Sequence, residues 1–93
     1  MTRLHVAHIR EQGQNMIIVP LDYSFGQKTA SEQSDVISEI QMRARSAGLA
    51  GKVVPVWPSG GRMFFIAPPQ WRGFFQGISL QFVRMNCNKV LSW

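Results

Sequence analysis

Residues 60–77 read GGRMFFIAPPQWRGFFQG, and these eighteen positions hold five aromatic rings and two arginines. The stretch changes period at Pro68-Pro69. Before the prolines, RMFFIA is rich in β-formers and follows Gly60-Gly61, so it reads as a strand leaving a tight turn. Alternation sends Arg62, Phe64 and Ile66 to one side and Met63, Phe65 and Ala67 to the other. After the prolines, Trp71, Phe74, Phe75, Ile78, Phe82 and Met85 recur at i, i+3, i+4, i+7, i+11 and i+14. That spacing is one face of a helix begun by prolines, which a first turn tolerates. Its rings are expected to pack on a sheet rather than stack on a ligand. Gly73 and Gly77 weaken the helix by about 1 kcal/mol each against alanine, and residues 78–83 alone alternate like a strand. The two glycines, four residues apart, also suggest a place where the helix approaches the sheet closely.

Upstream, GKVVPVW (51–57) is joined to GRMFFIAP by PSG, a turn composition, which makes a hairpin of the two. Before it, TASEQSDVISEIQMRARSAGL carries a T-x-x-E capping box at Thr29 and Glu32, in which each side chain satisfies the other residue's free backbone N–H. Val36, Ile37, Ile40, Ala44 and Ala47 form an apolar stripe, acids fill the first half and Arg43 and Arg45 the second, and Gly48 closes the helix. At the N-terminal end, RLHVAHIRE and MIIVPL flank the turn-like QGQN and make a first hairpin. MIIVPL has little polar relief on either face, so it belongs inside the sheet with Pro20 near its end. NKVLSW is a last strand. The order is ββαββαβ, an α+β two-layer sandwich with a mainly antiparallel sheet and two helices on one face. Without its first strand this is the βαββαβ split unit of ferredoxin-like architecture, which hosts too many functions to imply one.

The chain has 93 residues and a formal net charge of +5, enough for one compact domain over 1–93 and too little for two. No apolar run approaches the roughly 20 residues that cross a bilayer, and MTRLHVAHIREQG lacks the apolar core of a secretory signal, so a cytoplasmic protein without membrane association is expected. The lone Cys87 reads as a reduced, idle thiol. Charge is unevenly placed: residues 1–39 hold all five acids and carry −2, and the remaining 54 carry +7. Such asymmetry points toward a polyanionic partner.

Catalytic signatures are weak. His5 and His8 are three apart in a strand, hence on opposite faces, and cannot chelate one metal. Ser59 sits in a turn, Cys87 has only Lys89 nearby in sequence, and no G-x-S-x-G elbow exists. Gly60-Gly61 lacks the lysine and hydroxyl of a phosphate loop. The expectation is a binding module that is not an enzyme and needs no cofactor or metal.

Two partner classes follow. If the helices take the side of Phe65, an open sheet face would carry Lys52, Arg62 and Phe64, joined by Lys89, for phosphate contact and base stacking as in RNA-recognition modules. SGGRMFFIAP does not fit their RNP1 pattern, since Gly61, Arg62 and Met63 stand where a cation, a glycine and an aromatic belong. Nucleic acid is thus expected on physical grounds alone. The alternative is a protein-interaction or homodimerising module using Trp57 and Trp93 on an apolar face, with Tyr23 and Phe25 of the loop 21–28 as anchors.

Overall fold

The computed structural model of the chain describes residues 3–11 and 13–93. Strands β1 (Arg3–Glu11), β2 (Gln14–Pro20), β3 (Lys52–Ser59), β4 (Arg62–Phe65) and β5 (Lys89–Ser92) form one sheet in the order β4-β3-β2-β1-β5. Helix α1 (Ala30–Ser46) joins β2 to β3, whereas α2 (Arg72–Gln76) and α3 (Leu80–Met85) lie between β4 and β5. Short 3₁₀ turns at Tyr23–Gln27 and Pro69–Trp71 lead into α1 and α2. The pair β2–β3 is parallel and the other pairings are antiparallel. The fold is therefore α+β with a mostly antiparallel sheet.

Local signals place the first helix and both hairpins. Thr29 Oγ1 accepts from the Glu32 N–H at 3.1 Å, and Glu32 Oε1 accepts from the Thr29 N–H at 2.9 Å, closing the capping box. At the far end, Leu49 N–H donates to the Ala44 carbonyl and Gly48 N–H to that of Arg45, both at 3.0 Å, the two bonds of a Schellman ending. Gly60 and Gly61 have φ of 57° and 80°, the pair of left-handed residues that a two-residue hairpin needs. In the first hairpin, Gln12 lies outside the described residues.

The covering of the sheet differs from the expectation of two helices on one face. Val6, Ile17, Val19, Val53 and Leu91 cluster with Ile40 and Ala44 of α1. Ala7, Met16, Ile18, Val54 and Val56 cluster with Trp71, Phe75 and Val83. Neighbours along a strand point to opposite faces, so α1 covers one face and α2 and α3 cover the other. The cause is visible in β2 and β3, whose near-continuous apolar runs bury side chains on both sides and demand a layer on each. The strand order also departs from the split unit, because β2 and β3 are direct neighbours with no strand between them.

The segment after Pro68 is broken rather than continuous. Gly77 ends α2, and Ser79 caps α3 by accepting from the Phe82 N–H at 3.1 Å. The break shifts the phase of the stripe. Trp71 and Phe75 are buried and Phe74 and Ile78 pack beside them, but Val83 takes the inward place in α3, leaving Phe82 and Met85 exposed. Nor do the glycines mark a close approach: a Cβ at Gly73 would meet nothing within 4 Å, and one at Gly77 only carbonyls of its own helix.

Candidate functional site

With both faces covered, the residues expected on an open face are dispersed. Arg62 and Phe64 lie on β4 and Lys89 on β5, the two opposite edges of the sheet. Four inter-strand spacings of about 4.8 Å separate those edges by roughly 19 Å. Lys52 opens β3 while Ser59, the partner of Arg62, closes it, and the seven intervening steps span roughly 23 Å. Lys52 and Lys89 therefore do not join Arg62 and Phe64.

The four expected protein-contact residues divide as well. Phe25 and Trp57 are internal, 3% and 8% exposed, with ring centroids 5.0 Å apart in an edge-to-face contact. Gly26 lies so close to this pair that a Cβ there would run into the Trp57 indole. Tyr23 on the same turn is exposed. Trp93 is half-buried, with the Arg43 guanidinium 5.5 Å from its ring centre.

One surface is assembled nonetheless, along the free edge of β4. Trp57 continues the ladder that Phe25 begins and stacks at 21° and 6.3 Å on Phe64 of the next strand. Phe64 is the ladder's outer end and is 45% exposed; Ile66 follows at 40%. On one side of β4, Tyr23, Gln27, Trp57, Ser59 and Phe64 line a small hollow. On the other, a groove of about 570 Å³ runs along residues 62–67 under Arg72 and Gln76 of α2. Phe75 fixes that wall, packing on Phe65 of β4 at 5.4 Å between centroids.

Backbone chemistry distinguishes this edge. Ile66 N–H donates to the Pro55 carbonyl at 3.2 Å, and pairing partners alternate every second residue, so Arg62, Phe64 and Ile66 turn their amides and carbonyls toward β3. Met63 and Phe65 then turn theirs outward. Pro55 has no N–H to give Ile66 in return, which explains why β4 stops at Phe65. Arg43–Glu39, at 3.2 Å, is the one ion pair among the described residues, so neither Arg62 nor Arg72 has a carboxylate partner there. Arg72 was not singled out from the sequence, although its place between the inward Trp71 and Phe75 marks it as outward-facing.

Other chemistry is quiet. His5 and His8 are on opposite faces; His8 donates Nε2–H to the Ala50 carbonyl at 2.8 Å. No cluster of three metal-ligating side chains occurs among the described residues. The Cys87 thiol donates to the Val83 carbonyl at 3.3 Å, and burial pushes its pKa up, outweighing the opposing pull of Arg84. No helix among the described residues is long and apolar enough to cross a membrane. Comparison with known protein families, curated proteins and solved structures finds no match for the chain.

Proposed function

We propose that this chain is a non-catalytic interaction module that engages a protein partner along the β4 edge. The observation that carries this reading is the meeting there of exposed Phe64 and Ile66 with two arginines that have no carboxylate partner among the described residues. Large apolar side chains flanked by arginine make the composition of a protein-contact surface.

The nucleic-acid reading uses the same edge, with Phe64 as a stacking platform for a base. It is the weaker of the two because only two cations gather. At about 0.7 per phosphate neutralised, two contacts give a salt slope of roughly 1.4, and a fourfold rise in salt then weakens binding only about sevenfold. A polyanion track needs cations in succession, and Lys52 and Lys89 are elsewhere.

The test is to follow backbone amide shifts of the labelled protein while adding extended peptides of different charge and, separately, a mixed-sequence single-stranded oligonucleotide at two salt concentrations. Peptide-induced shifts concentrated at 62–67, 72 and 76 are expected. Oligonucleotide binding with a slope well above 1.4 reverses the order of the two readings.

A further inference from the structure

Resting on the interaction-module reading, we infer that the β4 edge takes an extended acidic segment of a partner protein by antiparallel strand addition. The argument starts from the outward groups of Met63 and Phe65, two N–H donors alternating with two C=O acceptors along a strand of four residues. Such a row is a template for another backbone, and the edge is otherwise open. Antiparallel addition continues the prevailing pairing of this sheet and forms the straighter hydrogen bonds.

The geometry then assigns side chains. In that arrangement the incoming residues opposite Met63 and Phe65 turn their own N–H and C=O toward β4 and their side chains toward the α2 side, where Arg72 and Gln76 form the wall. Carboxylates fit there, because Arg72 offers a fork of donors without a carboxylate partner among the described residues. The alternate residues turn toward Phe64, and apolar side chains fit that position. Arg62 at the start of β4 strengthens the same preference for negative charge.

Other occupants fit less well. A second copy pairing through its own β4 would gather four arginines, Arg62 and Arg72 of each copy, along one edge with no carboxylate among the described residues to meet them, an accumulation of like charge. The phosphate backbone of a nucleic-acid strand only accepts, so it matches the outward N–H groups of Met63 and Phe65 but not their carbonyls, whereas a peptide backbone matches both.

The deciding experiment uses the full chain and a blocked hexapeptide of alternating glutamate and valine, read by fluorescence anisotropy and by amide hydrogen exchange. Saturable binding is expected, with exchange at Met63 and Phe65 slowed at least tenfold. The lysine–valine peptide should bind at least tenfold more weakly, and Arg72→Glu, at an exposed position, should reverse that order. N-methylation of the glutamates should abolish binding, whereas N-methylation of the valines should spare it. Equal binding of both N-methylated peptides, with unchanged exchange at Met63 and Phe65, overturns strand addition and leaves the interaction module standing. If neither peptide charge binds, or if oligo-dT binds with a steep salt dependence, both readings fall. Protection of Met63 and Phe65 that rises with protein concentration in the absence of peptide makes a second copy the occupant and overturns the acidic partner.

Discussion

The two edges of the sheet end in different ways. At β5 the chain closes on itself: Asn88 donates Nδ2–H to the His8 carbonyl at 2.9 Å, accepts the His8 N–H at 2.8 Å, and gives its own N–H to Val6 at 3.0 Å. These bonds extend the β1–β5 ladder by one side chain, and Trp93 then folds back toward α1 under Arg43. The apolar groove beside it, about 420 Å³, is lined by Leu4, Leu21, Val36, Ile40 and Trp93 with Asp35 and Glu39 among them. At β4 no side chain among the described residues hydrogen-bonds to the strand's backbone, and the charges beside it are arginines. All three Asn88 bonds run inward to β1, so β5 remains an outer strand like β4; the edges differ in their surroundings, Trp93 with Asp35 and Glu39 near one and exposed Phe64 with Arg62 and Arg72 near the other. Free edges are ordinarily blunted by shortness and charge, and β4 has both; what sets it apart is the apolar ladder ending at Phe64.

The comparison can be broken most forcefully at Phe75, which holds the α2 wall of the β4 groove and is 1% exposed. Phe75→Ala should cost about 3–5 kcal/mol in chemical denaturation, through lost burial and the cavity left behind. A loss under about 1 kcal/mol would mean that α2 is not a fixed wall. At the other edge, Asn88→Ala removes two side-chain hydrogen bonds and should cost about 1–2 kcal/mol. Its signature is local: amides of 89–92 should exchange faster while those of β3 and β4 keep their rates. The same variant should speed alkylation of Cys87, which in the parent should react more slowly than a free exposed thiol at pH 8, because burial holds its pKa up.

The smallest expected effect lies on α1, away from both edges. Thr29→Ala should cost about 1 kcal/mol. Hydrogen bonds from Thr29 hold the Glu32 carboxyl below its ordinary value. A depressed folded pKa contributes stability above the unfolded value, about 4.3, and that contribution is lost as pH falls through the folded one. Wild type should therefore exceed Glu32→Gln in stability at pH 6, and the difference should vanish in stronger acid. A difference independent of pH would remove the charged half of the capping box.

Some of the candidate surface was legible beforehand. Arg62, Phe64 and Tyr23 were each marked, but under two different partners, and the structure places all three beside β4. Phe25 and Trp57 were marked as contacts and are core, because a ring in a loop looks the same in sequence whether it closes on a neighbour or faces water. One available signal pointed the right way. From the sequence, the apolar run of β2 is read only as a place inside the sheet, whereas that run and the similar one of β3 are incompatible with an open face and call for a layer on each side.

What the sequence by itself determined are the features whose causes lie within a few residues. The capping box and Schellman ending of α1, the Gly60-Gly61 turn and the α+β class depend on neighbours along the chain, and the structure reproduces them. Tertiary structure alone decided the parallel pairing of β2 with β3, the return of β5 to β1, and the splitting of residues 69–85 into two short helices. That last segment must cross the sheet from the β4 edge to the β5 edge over a fixed width. A continuous helix would have kept Phe82 on the inward stripe; the turn at Gly77–Ser79 re-aims α3 so that Val83 is buried instead. Burial against strands distant in sequence outweighed a helical periodicity that two glycines had already weakened by about 1 kcal/mol each.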